Sequence, residues 1–308
     1  MSFAKVRDKA KEQLVDGKES PVLKEPAVSV RTVSSGTLLE LVSGQIDLWY
    51  TRTDQVGPEL ALRYRALLTP QELSQHGRFH FEKDRHRYLV SQALSREVLS
   101  CYMPVAPEAW RFEADHYGKP QLVDPAGLAR EIDFNISNTD GLVVFGIYRG
   151  KALGVDTECM QREAPLEVAE RFFSAHESRC LRRLPPPDQA LRFWELWTLK
   201  ESYIKARGMG LSLPLDQFSF ELDAPGSVSI GFADGFQDHP SRWQFWQMRP
   251  TEHHLLSVCA EVPSVDGAPV RLNVRETVPL LSHWLVRCPL ARSGGALPTG
   301  SELSSPVN

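Results

Sequence analysis

Apolar and polar residues alternate with a period of two in some stretches of this chain and with the helical period in others. The changes of period divide it into elements. Ile46-Asp47-Leu48-Trp49-Tyr50 reads as a first strand. Pro58 then opens a helical stretch over Glu59 to Leu68, since proline is tolerated in the first turn of a helix. Thr69-Pro70-Gln71-Glu72 sets a capping hydroxyl before a proline and predicts a second short helix. A longer helix follows, with Asp84 near its start and Val90, Ala93, Leu94, Val98 and Cys101 as its apolar stripe. Gly118-Lys119-Pro120 is a turn by composition, and Phe134-Asn135-Ile136-Ser137 is a short strand running into the polar turn Asn138-Thr139-Asp140-Gly141.

The apolar run Leu142 to Ile147 turns at Arg149-Gly150 into Gly154-Val155-Asp156-Thr157-Glu158, so the two stretches read as a hairpin. The next pattern predicts a helix from Leu166 to about Leu184, with Phe172 and Phe173 in the core, ended by Pro185-Pro186-Pro187. Asp188 can cap the following helix, whose Leu191, Trp194, Trp197 and Ile204 fall at helical spacing, and Gly208 is placed to stop it. Phe218 to Phe220, Val228 to Ile230, Trp243 to Trp246 and Leu255 to Cys259 read as strands of an antiparallel sheet. Residues 1–43 hold no sustained period, and from about Arg287 onwards Gly, Pro and Ser dominate. Both ends read as disordered.

Chemistry gathers around one of these strands. Alternate residues of a strand share a face, so Asp156 and Glu158 stand side by side, with Gly154 leaving that face open. Glu201 and Lys205 lie one turn apart on the later helix and, taken alone, are an ordinary surface pair. The Asp-x-Glu strand changes that reading. Two adjacent carboxylates repel unless a cation sits between them, and a third from a helix completes an all-oxygen site suited to Mg²⁺. Arg78, Arg85 and Arg87, with His76, His80 and His86, cluster at the start of the long helix. They read either as a solvated basic face or as an anion site.

Gly154-Val155-Asp156-Thr157-Glu158, followed by Trp197-Thr198-Leu199-Lys200-Glu201-Ser202-Tyr203-Ile204-Lys205, resembles the surfactin-synthetase type of 4′-phosphopantetheinyl transferase. Tyr117-Gly118-Lys119-Pro120, Phe134-Asn135-Ile136-Ser137 and the stretch from Gly208 to Leu215 add to the likeness, which spans roughly Gln45 to Val262. The resemblance implies transfer of the phosphopantetheine arm of coenzyme A to a serine of an apo acyl- or peptidyl-carrier protein, releasing adenosine 3′,5′-bisphosphate. It implies Mg²⁺ held by Asp156, Glu158 and Glu201, with Glu201, Lys205 and Glu158 in catalytic roles. Coenzyme A contacts would come from Arg87, Lys119, Ser137, Asn138, Asp156 and Lys205. Asn138 stands where the family pattern has His; an amide still donates but carries no charge. The loop between Cys159 and Pro165 would border the carrier protein. The implied fold is α+β and pseudo-duplicated, with halves at 44–150 and 151–285, each an antiparallel sheet packed with helices. The active site would lie in the cleft between them, and 1–43 and 286–308 are expected to be disordered extensions.

Bulk properties narrow the alternatives. The chain has 308 residues, 42% hydrophobic and 24% charged, and a formal charge of −4, which offers no general attraction to nucleic acid or anionic membrane. Five scattered cysteines fit a reducing compartment better than a disulfide framework or a zinc site. No apolar run reaches the length of a membrane span, and the N-terminus is not a secretory signal. The expectation is a cytoplasmic monomer that meets neither nucleic acid nor membrane. Three rival readings stand beside the transferase. A metal-dependent nuclease or phosphohydrolase commonly sets Lys two residues after an acid on one strand, whereas Met160 holds that place after Glu158. A non-catalytic coenzyme A or carrier-binding module would have no use for three carboxylates. Acyl transfer lacks a marked nucleophile–His pairing.

Overall fold

A computed structural model describes residues 38–123, 132–222, 226–262 and 270–295. In chain order β1 (Gln45–Arg52) leads into α1 (Pro58–Ala66), α2 (Pro70–Gly77) and the long α3 (Glu82–Tyr102). A small hairpin, β2 (Phe112–Ala114) and β3 (Pro120–Leu122), precedes β4 (Ile132–Thr139), β5 (Leu142–Arg149) and β6 (Leu153–Cys159). Three helices follow: α4 (Leu166–Phe172), α5 (Ala175–Arg183) and α6 (Pro186–Arg207). The strands described after α6 are β7 (Phe218–Glu221), β8 (Ser229–Phe232), β9 (Trp243–Thr251), β10 (His254–Glu261), β11 (Arg271–Val278), β12 (Ser282–Leu285) and β13 (Leu290–Gly295).

Local chemistry sets several of these boundaries. Thr69 and Glu72 form a reciprocal capping box at the start of α2, and Gly208, at φ 64°, closes α6 in the left-handed conformation that glycine adopts without strain. The stretch expected as one helix up to Leu184 is two. Phe173 turns into the core at 4% exposure, and Ser174 with Glu177 forms a fresh capping box for α5. Phe172 is only partly buried. The proline run opens a helix as well as ending one: Pro186 and Pro187 are the first turn of α6, where missing N–H groups are harmless.

Two sheets carry the fold, in the orders β12-β11-β1-β5-β4 and β13-β9-β10-β6, and the architecture is α+β with two halves. On the first sheet α3 buries Val90, Ala93, Leu94 and Val98 against Trp49, Phe145 and Ile147. On the second, α6 buries Trp194, Leu199 and Tyr203 against Phe245, Leu255 and Cys259. A third core lies between the sheets, where Leu48 and Val144 meet Leu153, Val155, Leu256 and Val258.

Four expectations need correction. β5 and β6 do not form a hairpin. β5 is bonded on one edge to β1 and on the other to β4, so no edge remains, and β6 pairs instead with β10 in the other sheet. The halves do not divide cleanly at residue 151, because β11 and β12 return to the first sheet. β11 pairs with β1 in parallel, so that sheet is mixed. The C-terminal stretch is ordered as far as Gly295: β13 pairs with β9, and a Cβ on Gly294 would stand 1.7 Å from the Val228 carbonyl oxygen. Small residues there serve a close approach of backbones, which composition alone presents as disorder. At the other end order begins before Gln45, since Leu39 N–H donates to Cys101 O at 2.7 Å and Leu41 is buried. The rest of both extensions, 1–37 and 296–308, lies outside the described residues.

Candidate active site

β4 and β6 lie side by side although they belong to different sheets, and side chains join them. Asp133 Oδ2 accepts from Leu153 N (2.8 Å), Asn135 Oδ1 from Val155 N (3.0 Å), Ser137 Oγ from Thr157 N (3.2 Å) and Thr139 Oγ1 from Cys159 N (3.2 Å). Both strands repeat every two residues, so four polar side chains of one meet four N–H groups of the other in register. The seam between the halves is therefore a ladder with side-chain acceptors.

The other face of β6 carries Gly154, Asp156 and Glu158, and Gly154 does not leave it open. A Cβ at Gly154 would come within 1.9 Å of Ser202 O and 2.4 Å of Ala206 N, so α6 rests directly on the strand there. That contact brings Lys205 onto Asp156, with Nζ donating to Asp156 Oδ1 at 2.7 Å, Ser137 Oγ at 3.0 Å and Val155 O at 3.0 Å. Ser137 donates in turn to Asp156 Oδ1 at 3.0 Å. A hydroxyl has one proton and two lone pairs, and those of Ser137 are all engaged. A direct phosphate contact would require it to give up one of these partners.

Glu158 is held from two sides. Its Oε2 accepts from Thr139 Oγ1 at 3.2 Å and from Arg162 Nη2 at 2.9 Å, and the Arg162 guanidinium lies 5.1 Å over the Trp194 ring of α6. Glu201 sits half-buried on α6, one turn before Lys205. Lys200 is fully buried on a different side. It pairs with Glu177 at 2.9 Å and donates to Leu215 O and Phe218 O, which makes it structural.

The proposed coenzyme A contacts fall along β4. Arg87 is paired with Asp84 and with Asp140 Oδ1 (3.4 Å), beyond the C-terminal end of β4. Lys119 is paired with Asp133 Oδ1 (2.9 Å), near its start. Seven residues of strand put these anchors roughly 20 Å apart. Asn138, half-buried, lies between them. His254 of β10 fastens the Asp140 end: its Nε2 donates to Asp140 O at 2.7 Å, and Nδ1 faces Thr251 Oγ1 at 2.7 Å. Burial pushes the His254 pKa below its ordinary 6.5. Arg85 is bound to Glu82 and to the carbonyls of Phe79 and His80, and Arg78 is exposed, which is the bland reading of that basic cluster.

The donor chemistry fits a hard divalent cation. Asp156 is 3% exposed, and its Oδ2 is a buried acceptor with no hydrogen-bond donor among the described residues. Such an atom is costly unless something positive reaches it. The arrangement is nonetheless held by protein cations, Lys205 on Asp156 and Arg162 on Glu158. No group of three His, Cys, Asp or Glu side chains among the described residues stands together as a metal cluster. Sequence reasoning missed Arg162, Asp133, Asn135 and Thr139. The alternation Asp133, Asn135, Ser137, Thr139, polar at every second place of a strand, was the available signal for the last three.

Comparison with known proteins bears on the family of the chain. Residues 152–259 match the 4′-phosphopantetheinyl transferase superfamily, and residues 58–147 match the N-terminal region of a 4′-phosphopantetheinyl transferase. The chain is 34% identical over 201 residues to the 4′-phosphopantetheinyl transferase Sfp of Bacillus subtilis, covering 65% of this chain and 85% of that one. It is 38% identical over 201 residues to the 4′-phosphopantetheinyl transferase ffp of Bacillus subtilis, with the same coverage. To the 4′-phosphopantetheinyl transferase HetI of Nostoc it is 34% identical over 179 residues, covering 56% of this chain and 73% of that one. These matches make the chain a transferase of the 4′-phosphopantetheinyl transferase superfamily. More narrowly, the chain belongs to the Sfp-type 4′-phosphopantetheinyl transferases. The nuclease and the non-catalytic binding module are not favoured.

Proposed function

We propose that this chain uses the α6-facing side of β6, where Asp156 and Glu158 stand, to transfer the 4′-phosphopantetheine group of coenzyme A to a serine of an apo acyl- or peptidyl-carrier protein. The observation that carries the residue assignment is the contact of Lys205 with Asp156 and Ser137, which joins the Asp-x-Glu strand, the α6 motif and the β4 seam at one point. Asp156, Glu158 and Glu201 would hold Mg²⁺. When bound, that ion supplies charge relief on the pyrophosphate oxygens. Lys205, through its ammonium, stabilises the charge that develops on the leaving side.

The serine oxygen forms a new bond to phosphorus of the pantetheine phosphate, the bridging P–O bond of the pyrophosphate breaks, and adenosine 3′,5′-bisphosphate leaves with the electron pair. The serine proton goes to Glu201, or to a water beside it, with Glu158 sharing that role. Arg87 and Lys119 hold coenzyme A phosphates by exchanging their present carboxylate partners for them, and Asn138 donates from its amide. Ser137 fixes Asp156 and Lys205 against each other. No helix among the described residues is long and apolar enough to cross a membrane. Separately, we place the activity in a cytoplasmic monomer.

The test is direct. The protein is incubated with apo carrier, coenzyme A and Mg²⁺, and the carrier is weighed by mass spectrometry. A mass gain of one phosphopantetheine, lost with EDTA and with Asp156→Ala, supports the reading. An Asp156→Ala protein with full transfer would remove the proposed site.

A further inference from the structure

Glu158 already has a cation. Arg162 reaches back four residues to its Oε2 at 2.9 Å, and the Arg162 side chain is 29% exposed against 7% for Glu158. The guanidinium lies over Trp194, on the helix that carries Glu201 and Lys205, so it spans from the turn after β6 to α6. A planar cation stacked on a ring, with one edge on a carboxylate, keeps its other edge available for an anion. Asp156 has its own counter-charge in Lys205, so each carboxylate of the β6 face is neutralised by a different side chain.

We propose that Arg162 is the resident counter-ion of Glu158, which a divalent cation must displace. The freed guanidinium then turns on its Trp194 platform to the phosphate anion that arrives with the cation. The proposal rests on the reading of Asp156, Glu158 and Glu201 as the metal ligands. Two positive charges cannot share the Glu158 oxygens without repulsion, so Arg162 opposes entry of a bare cation. A phosphate anion offers the guanidinium a bidentate partner and removes that opposition. The site therefore favours cation and coenzyme A together over the cation alone.

Calorimetric titration of Mn²⁺ into the full chain tests this, for wild type, R162Q, R162K and D156N, with and without saturating coenzyme A. Thermal melts check that each variant folds. Without coenzyme A, R162Q should bind Mn²⁺ about tenfold tighter than wild type, the scale of one removed like-charge contact in a partly solvated site. Coenzyme A should tighten Mn²⁺ binding in wild type and do so much less in R162Q. R162K, which keeps the charge but loses the fork, should match wild type for the bare cation within about threefold. R162Q that binds Mn²⁺ no tighter than wild type overturns the role of Arg162. If R162Q melts below the assay temperature, R162K decides, and a coenzyme A effect as large as in wild type overturns the proposal. Wild-type Mn²⁺ binding that D156N leaves unchanged overturns the metal reading itself, which separates the two failures.

Discussion

Gly154 and Ser202 touch through their backbones: a Cβ on Gly154 would stand 1.9 Å from the Ser202 carbonyl oxygen. The obstacle is helix backbone, which cannot rotate away as a side chain tip can. Gly154→Ala must therefore lift α6 off β6 and separate Lys205 from Asp156. Overpacking of this kind costs about 1–3 kcal/mol, and more where backbone must move. Urea denaturation should show at least that loss, with transfer activity falling further than stability does. A variant of wild-type stability and activity would mean that the helix does not rest on the strand there.

The two lysines of the α6 motif should separate in their effects. Lys200 is fully buried against Glu177, whose Oε1 also accepts from Phe220 N at 2.9 Å. Lys200→Met strands a buried carboxylate and should cost about 3–5 kcal/mol. Lys205 is 23% exposed at a site partly open to solvent. Lys205→Met also removes a cation from buried Asp156, which keeps its Ser137 hydrogen bond, so it should cost less stability than Lys200→Met while lowering transfer by about a hundredfold or more. Comparing melting temperatures and rates for the pair checks both assignments, and similar melting losses would contradict them.

The seam predicts an asymmetry between two substitutions at one place. Asn135 is buried and accepts from Val155 N at 3.0 Å. Asn135→Ala leaves that N–H without an acceptor and should cost about 1–3 kcal/mol. Asn135→Asp keeps an acceptor oxygen in place and should cost less than Asn135→Ala near neutral pH. Hydrogen exchange at the Val155 amide gives a local readout, which should accelerate in the alanine variant and stay slow in the aspartate one.

The pH dependence of stability follows from His254. Its folded-state pKa is pushed below 6.5 by burial, which the carbonyl of Asp140 only partly offsets. The unfolded chain therefore binds more protons than the folded one as pH falls through 6.5, so stability rises with pH across that window and is lost on acidification. His76 and His283 are shifted the same way, chiefly by burial, and add to the slope. Melting temperatures at pH 5.5 and 7.5 should differ in that direction, and His254→Gln should reduce the difference. A wild-type melt independent of pH would contradict the buried, neutral state of this ring.

Near-neighbour chemistry made much of the site legible in the chain itself. Asp156 and Glu158 share a face because a strand repeats every two residues, and Glu201 and Lys205 share one because a helix turn is nearly four. Thr69 announced its helix and Gly208 ended another for equally local reasons. What local rules could not decide was which strand lies beside which. The turn at Arg149-Gly150 looks like a hairpin by composition, but hydrogen-bond capacity along β5 was already filled by β1 and β4. Likewise β11 returns to pair with β1 across more than two hundred residues, and β13 uses glycine for a close approach. The sequence by itself determined the face that Asp156 and Glu158 share and the side on which Glu201 meets Lys205. Tertiary structure decided that β4 and β6 meet edge to edge through side chains, and that Arg162 and Lys205 stand on the acids, because long-range packing sets those distances and spacing along the chain does not.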